Sequence, residues 1–120
     1  MEQRIEIAGG RRIAVLRSDE VLISDTQSAL DLIATLRYTD DADAIALNKS
    51  AIAEDFFRLG SGIAGDVLQK FAQYRMRLAI YGDFSVYTSK PLHDFIYESN
   101  NGREIGFLET ESAAIAWLAR

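Results

Sequence analysis

The chain has no cysteine in its 120 residues, a single histidine and no long apolar run. Without cysteine it can form neither disulfides nor thiolate metal sites, which fits a reducing compartment. The one histidine, His93, has acidic and apolar neighbours and cannot build a histidine-based metal site alone. No stretch approaches the roughly 20 apolar residues that a membrane-spanning helix needs. The start, Met1-Glu2-Gln3-Arg4, leads directly into alternating residues without a secretory pattern. A cytoplasmic protein that does not enter a membrane is therefore expected. The net charge of −5 and the scatter of the basic residues argue against nonspecific nucleic-acid binding, which draws on a basic surface. Linkers, internal repeats and low-complexity segments are also missing, and the length suits one domain with one core.

The residues that are present punctuate this domain clearly. Ile5 and Ile7 alternate with Arg4 and Glu6, and Ile13 and Val15 answer them beyond Gly9-Gly10. A glycine pair accepts the positive φ angles of a tight hairpin turn, so the chain is expected to open with an antiparallel hairpin. Val21-Leu22-Ile23 then leads into a helix, with Ser24 and Gln27 at capping-box spacing. Leu30, Ile33 and Ala34 form its apolar stripe. Ala44 to Leu47 suits a strand buried on both faces, followed by an irregular stretch from Asn48 to Leu59 with a helical turn around Glu54 to Arg58.

From Ser61 a second helix carries Ile63, Ala64, Val67, Leu68 and Phe71 on one face, and a strand follows over Met76 to Tyr81. A third helix opens near Ser89 with Pro91 in its first turn, where a missing N–H costs nothing, and Asn100-Asn101-Gly102 stops it. Ile105 to Leu108 is the last strand and Ser112 to Leu118 the last helix. The order β-β-α-β-α-β-α-β-α predicts an α/β fold with mostly parallel pairing, right-handed crossovers and the first hairpin as an antiparallel edge.

One motif suggests chemistry. Gly60-Ser61-Gly62-Ile63-Ala64-Gly65 fits the G-x-G-x-x-G fingerprint of dinucleotide sites, and Asp83 stands about 20 residues on, where an acid would meet a ribose. Against it, the whole Asn48 to Leu59 segment separates the preceding strand from the glycines, and the chain lacks room for a second nucleotide-binding half. The alternative is that these small residues serve a tight turn and close packing on the sheet.

Ser61-Gly62-Ile63-Ala64, followed by Val67-Leu68, also resembles the Ser-Gly segment of STAS domains, the family of anti-sigma-factor antagonists. The element order is similar to the STAS arrangement too. That resemblance implies a non-enzymatic regulatory domain with a protein partner and a modifiable serine at Ser61, although Leu59 and Gly60 stand where the family carries Asp and Ser. At the sequence level the chain more closely resembles an uncharacterised bacterial group, domain-of-unknown-function family 4180. The likeness is carried by Phe56-Phe57, Gly62-Ile63-Ala64-Gly65, Gln69-Lys70-Phe71, Leu78 to Ser85 and Asp94 to Asn100, and it brings no activity with it.

In open α/β sheets, ligands settle beyond the carboxyl ends of the strands. That edge is expected to collect Asn48 and Lys49, then Asp83 and Ser85, then Glu109 and Thr110. Ser61, Gly62 and Lys49 form a candidate modification or anion site, because free N–H groups at a helix start favour negative charge. Asn48, Phe56, Phe57, Asp83 and Ser85 form a candidate ligand or interaction face. Of the two adjacent phenylalanines, one is expected to enter the core and the other to cover the loop or a partner. Tyr81, Phe84 and Tyr87 are grouped around the Gly82-Asp83 turn, and Trp117, if exposed, would point to a homodimer. Asp94 and Glu98, four apart on one helix, read as surface charge. Three readings stand: a non-enzymatic interaction domain presenting the Asn48 to Gly62 segment and the second helix, a small nucleotide- or anion-binding protein or enzyme using Gly60, Gly62, Gly65 and Asp83, and a chiefly structural oligomer. None calls for a resident cofactor or metal.

Overall fold

The computed structural model describes residues 1–120. Strands β1 (Glu2–Ala8) and β2 (Arg11–Arg17) form the opening hairpin, and helix α1 (Thr26–Asp40) leads to β3 (Ala44–Asn48). Three short 3-10 turns, Lys49–Ala51, Glu54–Phe57 and Leu59–Ser61, then precede α2 (Ile63–Gln73). Strand β4 (Arg77–Tyr81), α3 (Lys90–Asn101), β5 (Ile105–Leu108) and α4 (Glu111–Leu118) complete the chain. The five strands lie in sequence order, with β1 antiparallel to β2 and the remaining pairs parallel.

The local reasons follow the residues. Gly9 and Gly10 both take positive φ, +58° and +75°, which sets a hairpin turn compatible with strand twist. Helix α1 is capped by Asp25 and Ser28, one residue beyond the expected Ser24 and Gln27. Two acceptor-bearing pairs share that spacing. The reciprocal bonds decide between them: Ser28 N–H donates to Asp25 Oδ1 (2.9 Å) and Asp25 N–H to Ser28 Oγ (3.1 Å). Helix α3 starts as expected, with Ser89 accepting from Leu92 N–H and proline in the first turn.

A sheet that always advances in one direction, with crossovers of one hand, collects its crossover helices on one face. Helices α1, α2 and α3 accordingly share a core with Leu16, Ile45, Leu47, Leu78, Ile80 and Phe107. The opposite face is covered by α4, through Ala114, Trp117 and Leu118, over Ile13, Val15, Ala44, Ala46, Ala79 and Tyr81. Its small residues let the helix sit close. Gly106 is the extreme case, because a Cβ there would stand 2.8 Å from the indole of Trp117. Trp117 is buried, and its Nε1–H donates to Asn100 O (3.1 Å), so it offers no exposed face for a dimer. No helix is long and apolar enough to cross a membrane.

Candidate functional site: a cleft at the carboxyl edge of the sheet

The chain leaves β4 toward α3 on one face and leaves β5 toward α4 on the other. Adjacent strands whose continuations part in this way open a crevice between their carboxyl ends. A cleft of about 770 Å³ lies there, lined by Arg17 from β2, Asn48, Lys49, Ser50, Ile52 and Glu54 after β3, Tyr81 and Gly82 from β4, and Glu109, Thr110 and Glu111 after β5.

Its floor is held by side chains that finish the ladder where β2 and β3 diverge. Asn48 is buried, and its amide is satisfied on both sides. Ser18 N–H donates to Asn48 Oδ1 (2.9 Å), while Asn48 Nδ2 donates to Ser18 O (2.7 Å) and Ser50 Oγ (2.6 Å). Tyr81 O–H donates to Leu16 O (2.8 Å). Burial pushes the Tyr81 phenol above its ordinary pKa, and neighbouring Glu111 adds to that shift.

One wall is electrostatically closed on itself. Arg4 Nη2 donates to Glu111 Oε1 (2.6 Å), and Arg17 Nη2 lies 3.7 Å from Glu111 Oε2 with its guanidinium over the Tyr81 ring. The hydrogen bond from Arg4, with the charges of Arg4 and Arg17, holds the Glu111 carboxyl below the usual range. Across the cleft, Tyr87 O–H donates to Glu54 Oε1 (2.7 Å), and burial together with Glu54 raises the Tyr87 phenol.

Lys49 stands apart from these pairs. No carboxylate lies within 4.0 Å of its ammonium, which instead rests over the Tyr87 ring (4.9 Å to the centroid) and the Phe57 ring (5.8 Å). Its stem lies along Gly82, where a Cβ would come within 2.7 Å of Lys49 Cβ. Glu109, on the opposite rim, is exposed and has no ion-pair partner. Glu54 keeps its charge but is held by Tyr87, so Lys49 and Glu109 are the cation and the carboxylate of the cleft with neither an ion-pair nor a side-chain hydrogen-bond partner.

A family model for a domain of unknown function, DUF4180, matches residues 8–118. The chain belongs to this family. No curated protein and no solved structure matches the chain.

In this family member the expected site residues are only partly brought together. Asn48 and Lys49 line the cleft, with Glu109 and Thr110 opposite. Asp83 and Ser85 lie beside it in a self-contained turn: Ser85 N–H and O–H donate to Asp83 Oδ1 at 2.9 and 2.6 Å. These bonds hold the Asp83 carboxyl below its usual range, with a smaller contribution from the charge of Lys49. Phe56 and Phe57 are both buried, at 1% and 4% exposure, so neither ring is presented to a partner. A 3-10 turn over the end of the sheet lets adjacent rings enter the core side by side, in edge contact at 5.1 Å.

Ser61 does not share the cleft with Lys49. Its hydroxyl donates to Asp55 O (2.7 Å) and accepts from Ile63 N–H (3.2 Å), closing the last 3-10 turn. The glycine motif has no strand before it, since the three turns intervene. Gly62 is required by its φ of +80°, whereas a Cβ at Gly60 or Gly65 would meet open space, so those two do not serve close packing on the sheet. The turn aromatics also divide. Phe84 and Tyr87 pack with Phe57, while Tyr81 lies on the face covered by α4.

Arg17, Glu54 and Glu111 are site residues that the sequence pattern does not single out, whereas Tyr81 and Tyr87 enter it only as members of a turn aromatic group. A usable signal exists for two of them: Arg17 ends a strand and Glu111 opens the helix after one, both at the carboxyl edge.

Proposed function

We propose that this protein is a non-catalytic regulatory domain that receives a segment of a partner protein in the carboxyl-edge cleft. The observation that carries the reading is the state of the cleft's charges. Arg4 is shared between Glu111 and Glu6, Arg17 pairs with Glu111, and Glu54 accepts from Tyr87, which leaves Lys49 and Glu109 without a side-chain partner on opposite rims. A cation seated over aromatic rings at a half-exposed position is well placed to accept a carboxylate. The complementary occupant carries one acid and one base a few residues apart, which a polypeptide segment supplies readily. The Asn48 to Gly62 segment forms the rim beside it, and the STAS-like element order favours the same class of task.

Nucleotide binding at Gly60, Gly62, Gly65 and Asp83 draws less support. The glycines do not follow a strand, and the Asp83 carboxylate is already engaged by Ser85.

The test places a photo-crosslinking residue at exposed Ser50 in the full chain, expressed in its native cells. The expected result is one discrete protein adduct that is lost in the Lys49→Glu/Glu109→Lys double variant. A crosslinker at Tyr38, which lies outside the cleft lining, should not give it. Equal adducts from both positions, or a small molecule found in the cleft by native mass spectrometry with no protein adduct, would overturn the reading.

A further inference from the structure

The sheet has two outer edges, and they are treated differently. At β5 the outward N–H and C=O of Phe107 are both taken by one side chain. Phe107 N–H donates to Asn100 Oδ1 (2.6 Å), and Asn100 Nδ2 donates to Phe107 O (3.0 Å). Strand β1 is longer, seven residues against four, and pairs with β2 alone. Across a two-residue turn the flanking residues, here Ala8 and Arg11, exchange both hydrogen bonds. Ala8, Glu6, Arg4 and Glu2 therefore direct their backbone groups toward β2, and Gln3, Ile5 and Ile7 direct theirs outward. An uncovered edge of this kind is a template for another strand.

We propose that β1 is a homodimer interface, pairing antiparallel with β1 of a second copy about a twofold axis through Ile5, so that two sheets join into one of ten strands. The register follows from symmetry and charge. A twofold axis perpendicular to the sheet keeps each face on its own side and must pass through a residue opposite its own copy. Centring on Arg4 sets arginine against arginine and Glu2 against Glu6, and centring on Glu6 sets glutamate against glutamate. Centring on Ile5 sets Arg4 against Glu6 of the second copy, and the reverse, on the face covered by α4. On the other face it sets Ile5 against Ile5. The outward groups of Gln3, Ile5 and Ile7 then meet those of Ile7, Ile5 and Gln3, satisfying the whole free edge. Ile7, 61% exposed beside the half-buried Ile5, gains cover in the process. Directly opposed charges of opposite sign favour a strand pair and like charges disfavour it. Centring on Gln3 also opposes Glu2 to Arg4, but it leaves the outward groups of Ile7 unpaired, so the Ile5 register is the one that meets both conditions, with the Arg4–Glu6 pair of each chain (3.2 Å) extended across the axis.

The experiment is sedimentation equilibrium of the intact chain, with three variants whose folding is checked by circular dichroism. Wild type is expected to sediment at twice the 13.4 kDa protomer mass. Arg4→Glu and Glu6→Lys should each dimerise about tenfold or more weakly, because each places like charges opposite one another twice. Mixed in equal amounts, these two should recover a heterodimer, since the two acids at positions 4 and 6 of the first variant then face the two bases at positions 6 and 4 of the second. Ile7→Pro removes an outward N–H without touching the intrachain ladder and should also weaken association. A wild type that stays monomeric at every concentration overturns the proposal. So does a dimer indifferent to these changes, or variants that fail to recover association on mixing. The outcome is independent of the cleft, whose residues are left unchanged apart from the Arg4 contact to Glu111, and Glu6→Lys leaves that contact in place.

Discussion

The two ends of the parallel sheet carry positive charge in opposite ways. At the amino end, Arg77 donates to Arg103 O and Leu118 O and stacks on Trp117, while Arg11 donates to Leu118 O and Arg120 O and Arg120 covers the same indole. These guanidiniums cap the last carbonyls of α4, where a helix concentrates partial negative charge. Burial, with the charges of Arg11, Arg120 and Arg103, lowers the Arg77 pKa. At the carboxyl end, Arg17 is shared with Glu111, and Lys49 has only aromatic faces beneath it. A cation used by the fold and a cation left over by it can thus be told apart by their partners, although both kinds are arginine or lysine near a strand end.

Substitutions can break this contrast. The largest effect is expected for Arg77→Ala, which strips the carbonyls around α4 of a charged donor and removes a stacking partner, for a loss of about 2–3 kcal/mol in urea unfolding. Asn48→Ala should cost about 2 kcal/mol by the same measurement, because Ser18 N–H and C=O lose their partners inside the protein. A smaller effect concerns pH. The Glu111 carboxyl is depressed in the folded chain from its ordinary 4.5, so its contribution is present above that value and is lost as pH falls through the folded pKa. Melting temperature should decline on acidification below pH 4.5, and less steeply in Glu111→Gln. Asp25, lowered by its hydrogen bonds to Ser28, acts in the same direction and remains in that variant. The smallest change is expected for Lys49→Ala, below about 1 kcal/mol in stability, even as the crosslinked adduct weakens. If Lys49→Ala unfolded the domain as Arg77→Ala does, the contrast between the two ends would fail.

The order of strands and helices was legible because each element announces itself locally: a glycine pair, an alternating run, a helical stripe, a serine or proline at a helix start. The candidate site was half legible. Asn48 and Lys49 follow from the rule that parallel strands gather function at their carboxyl ends. Arg17 and Glu111 meet only because α4 folds under the sheet to the opposite face, a non-local event that no sequence spacing records. Phe56 and Phe57 show the converse. Adjacency on a regular helix turns two rings about 100° apart, but the 3-10 turn here tips both inward. The glycine motif lacks the strand its fingerprint calls for, for a related reason. Its spacing is local, whereas a phosphate site needs a strand feeding directly into the turn.

The pressing of Gly82 against Lys49 has a thermodynamic side. A free lysine side chain holds about 2 kcal/mol of rotamer entropy, which recognition by a partner normally has to remove. Here the glycine backbone runs along the lysine stem, within 2.7 to 3.6 Å of its Cβ, Cγ and Cδ as measured from the position a methyl group would take. Part of that freedom is surrendered when the domain folds, because Gly82 and the rings of Tyr87 and Phe57 bound the side chain. An incoming carboxylate then meets an ammonium with fewer conformations left to give up.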